Sequence, residues 1–104
     1  MTDLADCLSY ELADSCIRLG RRDLVEAAIA CDWPTVGSTL ASLPSADVTR
    51  HEQRAAATAA ILLGRGRVED AARVMADLRD DEMTLDAYAA EVTAEMDAAV
   101  AVAS

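Results

Sequence analysis

The sequence contains no lysine, no asparagine and no phenylalanine, and aromatic residues make up only 3% of its 104 residues. A core with so few rings must be built from Ala, Leu, Val, Ile and Met, which favours closely packed helices over a sheet. Hydrophobic residues nevertheless make up 53% of the chain. This length and composition predict a single domain over residues 1–104 with one modest core.

Positive charge is also scarce in this chain. Nine basic residues, all arginine, stand against 19 acidic residues, so the formal net charge is −10. General nucleic-acid binding needs a basic surface, and anionic lipid repels an acidic one. No apolar run approaches the roughly 20 residues that a membrane span needs. We therefore expect neither direct nucleic-acid binding nor a membrane partner.

The three cysteines, Cys7, Cys16 and Cys31, are an odd number without a C-x-x-C pair. This pattern fits reduced thiols in a cytosol better than a disulfide framework. The N-terminal stretch MTDLADCLSY has no basic segment ahead of an apolar one, so a secretion signal is not predicted. Both features predict a cytoplasmic protein.

No pattern of an enzyme, a cofactor or a metal site is present. The lone His51 and the scattered cysteines lack the number and spacing of metal ligands, and a cysteine nucleophile would need His51 to come close in the fold. The motifs G-x-S-x-G, H-E-x-x-H and the P-loop do not occur. A DNA-binding helix-turn-helix, tried over residues 60–75, places Arg65, Asp70 and Arg73 where apolar side chains are needed. We expect no catalysis, no cofactor and no metal.

Residues 54–78 predict a helix, a glycine turn and a second helix, around which the rest of the chain is organised. Between Arg54 and Gly64 only Thr58 is polar, and a helix that is apolar on every side is usually buried among other helices. Gly64 is expected to be the left-handed C-cap. The helical period then resumes at Val68 and continues to Leu78.

Periodicity and capping signals predict six helices in all and no strand. The first four are expected over residues 3–19 after an N-cap at Thr2, over 23–31, over 33–43, and from residue 50 behind a capping box of Thr49 and Glu52. The fifth runs to about residue 79, and Thr84 caps the sixth. The predicted buried stripe of the sixth helix comprises Leu85, Tyr88, Ala89, Val92, Met96, Ala99 and Ala103.

An internal repeat is a further signal. The tripeptide Leu-Gly-Arg occurs at residues 19–21 and again at 63–65, which is 44 residues later. Two helical hairpins with equivalent turns indicate a stacked helical array, although chance similarity in an Ala-rich chain remains the alternative. The expected fold is therefore all-α, with two stacked hairpins and a long C-terminal amphipathic helix.

The second hairpin resembles a tetratricopeptide-type hairpin over about a quarter of the chain. Ala59, Leu62, Gly66, Ala71 and Met75 lie at the spacing of that family's small, large, turn, small and large positions. The resemblance implies the hairpin packing of an α-solenoid and a peptide- or protein-binding role.

The glycine turns also carry the first candidate binding site. Four arginines follow the two turns: Arg21, Arg22, Arg65 and Arg67. If the hairpins stack, both turns lie at one edge, and the guanidinium groups could clamp a carboxylate-rich or phosphate-bearing partner. The alternative is that they interact with helix dipoles and nearby carboxylates.

An acidic face is the second candidate. No basic residue follows position 79, where seven acidic residues occur: Asp80, Asp81, Glu82, Asp86, Glu91, Glu95 and Asp97. Such a face could imitate a nucleic-acid backbone and occupy the DNA groove of another protein. Charge runs are also typical of solvated helix faces.

Trp33 is the third candidate, as the single tryptophan of the chain. Beside Pro34 at a helix start, it is expected either to plug the end of the core or to anchor a partner protein.

These features predict a non-enzymatic protein–protein interaction module: a small adaptor, a chaperone-like protein or a regulatory subunit. The alternative is an acidic inhibitor that blocks a nucleic-acid-binding protein, of the kind that small phage genes encode. A third possibility is a structural subunit that forms homo-oligomers through the exposed remainder of the sixth helix.

Overall fold

The computed structural model of the protein describes residues 3–44 and 50–103. Six α-helices follow one another along the chain: α1 (Leu4–Leu19), α2 (Arg22–Ile29), α3 (Trp33–Ser42), α4 (Arg50–Gly64), α5 (Val68–Arg79) and α6 (Leu85–Ala103). The described residues contain no β-strand. The prediction of an all-α fold with six helices is therefore confirmed.

Helices α3 and α4 form the closest pair and run in opposite directions. At the end of α3, the Gln53 side chain donates to the carbonyl oxygens of Leu40 and Leu43, at 2.7 and 3.0 Å, and so satisfies two acceptors at that helix end. Where the helices meet, a Cβ atom at Gly37 would lie 2.5 Å from Ile61 Cγ1. The absence of a side chain at Gly37 is thus what allows the two backbones to approach.

Helix α1 lies in the middle of the arrangement, because it contacts α2, α4, α5 and α6. Its last residue, Leu19, lines a cleft together with Glu52 and Gln53 in the first turn of α4. The α1–α2 turn therefore lies beside the start of α4. The α4–α5 turn follows the other end of that 15-residue helix, about 22 Å away.

The core consists of small and aliphatic side chains, as the composition predicts. Alanines of α4 and α5 are buried where these helices meet their neighbours, and Tyr88 is the largest fully buried side chain. Other buried members of the core are Leu8, Leu12, Leu24, Trp33, Val36, Leu40, Met75 and Val92.

The start of α1 differs from the prediction, because Asp3 is the N-cap and not the first helical residue. Its carboxylate accepts a hydrogen bond from the backbone N–H of Asp6 at 2.9 Å. Thr2, the predicted cap, lies outside the described residues. Gly20 ends α1 as predicted, with φ at 71° in the left-handed region.

The prediction that Gly64 is the left-handed cap of α4 is wrong, because that role belongs to Gly66. Gly66 has φ at 78°, its N–H donates to Leu63 O, and the N–H of Arg67 donates to Leu62 O, which is the Schellman pattern. Gly64 remains helical. Its missing side chain serves packing, since a Cβ atom there would lie 2.8 Å from Pro34 Cδ.

Helix α2 begins one residue earlier than predicted, at Arg22, and ends two residues earlier, at Ile29. Asp23 lies in the first turn of α2, and its carboxylate accepts from the Arg21 guanidinium. Cys31 follows α2 with φ at 56°, although it is not a glycine.

Helices α3, α4 and α6 keep most of their predicted bounds. Asp32 is the N-cap position of α3, which ends at Ser42, and α4 begins at Arg50. Thr49, half of the predicted capping box, lies outside the described residues. Thr84 caps α6 as predicted, because its Oγ1 accepts from the backbone N–H of Ala87 at 3.1 Å. In the described ranges, no helix is long and apolar enough to cross a membrane.

Candidate interaction surfaces

Helix α6 divides into two parts with different surroundings. In the proximal half, residues 85–96, Tyr88, Ala89 and Val92 are buried against α1 and α5. The thiol of Cys7 in α1 lies 3.8 Å from the carbonyl oxygen of Ala89 and 3.7 Å from Thr93 Oγ1. The proximal half of α6 is thus part of the folded body.

A polar cluster fixes the proximal half to α1 and α5. Arg79, at the end of α5, donates through Nε to Glu11 Oε2 at 2.9 Å, through Nη1 to Glu91 at 3.2 Å and through Nη2 to Glu95 Oε2 at 2.8 Å. Tyr88 donates its hydroxyl to the other oxygen of Glu11 at 2.7 Å. These five residues form what we call the Arg79 cluster, in which one guanidinium meets three carboxylates.

The environment of the Arg79 cluster changes two pKa values. Burial and the hydrogen bond to the Glu11 carboxylate both raise the pKa of Tyr88 far above its ordinary value, so its hydroxyl remains a donor. Burial disfavours the charged form of Arg79, but hydrogen bonds to Glu11 and Glu95 outweigh it and raise the pKa of Arg79. The guanidinium also lies 5.7 Å from the centre of the Tyr88 ring.

The remainder of α6 leaves the folded body. We call residues 97–102 the distal segment; all six side chains are exposed. Val100 is 66% exposed and Val102 is 88% exposed, and three alanines lie between and before them. The predicted buried stripe therefore stops at Met96, which is half-buried; Ala99 is exposed, and the side chain of Ala103 lies outside the described residues.

The predicted basic patch is not formed, because the two glycine turns lie at opposite ends of α4. Three of the four arginines pair instead with acidic side chains two to four residues away in the sequence. Arg21 pairs with Asp23 at 2.7 Å, Arg22 with Glu26 at 3.3 Å, and Arg67 with Asp70 at 2.7 Å. These are exposed pairs, and Arg65 has no ion pair among the described residues. This agrees with the alternative interpretation, in which local charges satisfy these arginines.

The predicted anchor Trp33 belongs to the core. It is only 7% exposed at the start of α3, so almost none of its ring is available to a partner. The interpretation that Trp33 plugs the core is therefore the one that the structure supports.

The acidic face is divided by the Arg79 cluster. Glu91 and Glu95 bind Arg79, and Asp80 accepts from the backbone N–H of Glu82 at 3.0 Å. The other predicted members, Asp81, Glu82, Asp86 and Asp97, are exposed and have no ion pair within the described ranges. The acidic surface without a paired arginine is therefore smaller than the seven-residue face that the sequence predicted.

The cysteines and His51 do not form a site within residues 3–44 and 50–103. Cys7 and Cys16 are buried, and burial raises the pKa of the Cys16 thiol. His51 is exposed and lines a groove of about 360 Å³ between α4 and α5, whose lining contains no cysteine. No group of acidic, histidine or cysteine side chains suited to a metal ion occurs in this part of the chain.

Sequence reasoning missed the Arg79 cluster. Glu11 belongs to none of the sites predicted from the sequence, and residue 79 was predicted only as the end of the fifth helix. The available signal was Tyr88, a phenol in a predicted buried stripe, which needs a buried acceptor for its hydroxyl. Identifying Glu11 as that acceptor required the packing of α1 against α6, which links residues 77 positions apart.

Comparison of the chain with protein-family models, curated proteins and solved structures finds no match.

Proposed function

We propose that this chain is a protein–protein interaction module, a small adaptor or regulatory subunit, and that its distal segment is the binding surface. The carrying observation is the exposure of Val100 and Val102 on a helix whose earlier turns are buried. Neither side chain contributes to the core. A helix that continues beyond its own domain with an apolar surface is a suitable element for packing against another protein.

The spacing of α6 supports this assignment. Tyr88, Val92, Met96 and Val100 recur at intervals of four residues and so lie along one side of the helix. The first two are buried by α1 and α5, whereas Val100 is not. The same stripe can thus hold the fold at one end and receive a partner at the other.

The acidic inhibitor is the second candidate function. It is supported by the exposed carboxylates of Asp81 and Glu82, just before α6, and of Asp86 in its first turn. Neutralising those three residues should abolish binding in that case, and replacing Val100 should have little effect. The two functions therefore require different parts of α6.

Site-specific photo-cross-linking tests the proposal. A benzoyl-phenylalanine residue replaces Val102, and a second variant carries it in place of Ile29, which is 77% exposed on α2. We expect position 102 to give a discrete product with a different protein in the native cell, position 29 not to give it, and Val100→Gln to remove it. The same product from both positions, or a product that persists in Val100→Gln, contradicts the proposal. A product of twice the chain's own mass favours the self-assembling subunit instead.

A further inference from the structure

We infer that the partner presents an amphipathic helix whose apolar stripe is flanked by arginine or lysine. This inference rests on the proposed function and adds the chemistry of the partner. It combines the exposed apolar surface of the distal segment with the sign of the charges around it.

The shape of the distal segment suits a helical partner. Ala98, Ala99 and Ala101 surround the two valines with small side chains. Small residues at a helix contact allow the axes to approach to the short end of the usual spacing of about 8–10 Å. Val100 lies on the side of α6 that carries Met96, whereas Val102 lies about 200° around the helix from Val100. An incoming helix can therefore place larger apolar residues against Val100 and the alanines beside it.

Every charged side chain of α6 is acidic. Asp97 begins the distal segment, and the last turn of α6 contains no basic residue. The helix dipole adds roughly half a negative charge at that end. Within the two preceding turns, Glu91 and Glu95 share Arg79 with Glu11, so three carboxylates meet one guanidinium and leave an excess of negative charge.

The negative charge around the distal segment favours some binding partners over others. A second copy would bring the same negative charges to the contact, and like charges at close range oppose association. An anionic surface is repelled for the same reason. A helix with basic residues beside its apolar stripe gains attraction from Asp97 and from the helix end, while its stripe covers Val100, which is three residues from Asp97 on the same side of α6.

The experiment uses two fluorescein-labelled synthetic helical peptides with the same stripe of Leu and Ala. One carries Arg and the other Glu at the flanking positions. Binding to the full chain is measured by fluorescence anisotropy. We expect the Arg peptide to bind at least about tenfold more tightly than the Glu peptide, and its affinity to fall as salt is raised.

Variants separate this surface from the general negative charge of the protein. Val100→Gln/Val102→Gln should weaken binding of the Arg peptide about tenfold or more, because the apolar contact is lost at constant charge. Asp97→Asn should weaken it less. Ile29→Gln, the control on α2, should change the affinity less than about twofold.

Three results would overturn the inference: equal affinity for both peptides, Arg-peptide binding that the valine variant leaves unchanged, or self-association of the chain that depends on Val100. If position 102 cross-links a protein but the Arg peptide does not bind, the partner chemistry is wrong and the proposed function stands. If the Arg peptide binds through the valines while position 102 gives no cellular product, the partner chemistry stands and the proposed function fails.

Discussion

Cys31 is in a backbone conformation that a glycine would adopt at lower cost. Its N–H donates to Ala28 O and the N–H of Asp32 donates to Ala27 O, so Cys31 holds the left-handed position of a Schellman motif at φ 56°. The side chain is exposed and contributes nothing to the core. We expect Cys31→Gly to raise the free energy of unfolding by about 1 kcal/mol in urea denaturation.

Gly20 provides the matched comparison for Cys31. Its φ is 71° and a Cβ atom there would meet nothing within 4 Å, so only backbone strain opposes a side chain. Gly20→Ala should therefore lower the free energy of unfolding by about 1 kcal/mol. If both substitutions change stability in the same direction, left-handed strain is not the cause.

Tyr88 makes stability depend on alkaline pH. Its folded pKa is raised by burial and by Glu11, whereas the unfolded chain releases the phenolic proton near pH 10. The stabilisation is complete below about pH 10 and is lost as pH rises above it, because only the unfolded state gives up the proton. Tyr88→Phe should cost about 1 kcal/mol at pH 8 through the lost hydrogen bond, yet lose less stability between pH 8 and 11.

Urea unfolding of both proteins at the two pH values measures this difference. Tyr10→Phe is the control, since the Tyr10 hydroxyl makes no hydrogen bond within the described residues, and it should retain the alkaline loss. Parallel losses in the parent and in Tyr88→Phe would show that another group is responsible.

At the scale of elements, the contact of α3 with α4 depends on Gly37. A Cβ atom there would lie 2.5 Å from Ile61 Cγ1 and 3.0 Å from the carbonyl oxygen of Ala57. We expect Gly37→Ala to lower the free energy of unfolding by about 1–3 kcal/mol, even though alanine favours a helix. Combining it with Ile61→Ala, which removes Cγ1, should cost less than the sum of the two single changes. A stabilised Gly37→Ala protein would mean that α3 and α4 are farther apart.

The elements themselves were largely predictable from the sequence, because each depends on local signals. The apolar run of α4, the cap at Thr84 and the glycine after α1 all act within a few residues. The error at Gly64 arose because two glycines lie close together, and either can take a left-handed conformation. Gly66 takes it, whereas Gly64 stays helical and packs against Pro34 of α3, a contact that the local sequence does not reveal.

The length of the α6 stripe could not be predicted for a similar reason. Periodicity identifies which side of a helix is apolar, but it does not say where the neighbouring helices end. The apolar stripe continues past Met96, while α1 and α5 cover only the earlier turns. Ala99, which the stripe predicts to be buried, is exposed, whereas Val100 and Val102, on which the proposed function depends, lie outside the predicted stripe.

At the scale of the whole molecule, the direction of each helix determines which residues meet. The two Leu-Gly-Arg turns are alike in sequence, yet one lies beside the start of α4 and the other beyond its end. Four arginines that looked like one patch are thus separated. Glu11 and Arg79, which no pattern connected, are brought together by the packing of α1 with α5.

If the distal segment is outside the folded body, its apolar side chains contribute little to stability. Val100→Gln/Val102→Gln should leave the free energy of unfolding within about 0.5 kcal/mol of the parent, because both positions are exposed and glutamine is a good helix former. Val92→Ala, a truncation of a fully buried residue on the same helix, should cost about 1–3 kcal/mol. Equal losses would place Val100 and Val102 in the core.

Amide hydrogen exchange along α6, with and without the partner cross-linked at position 102, shows whether the distal segment is the surface that a partner covers. We predict strong protection over residues 85–96 and fast exchange over residues 97–102 in the chain alone, because only the first part packs on α1 and α5. Bound partner should then slow exchange over residues 97–102. Protection of the distal segment in the chain alone, or protection gained only on other helices, would contradict the claim that this segment is the binding surface.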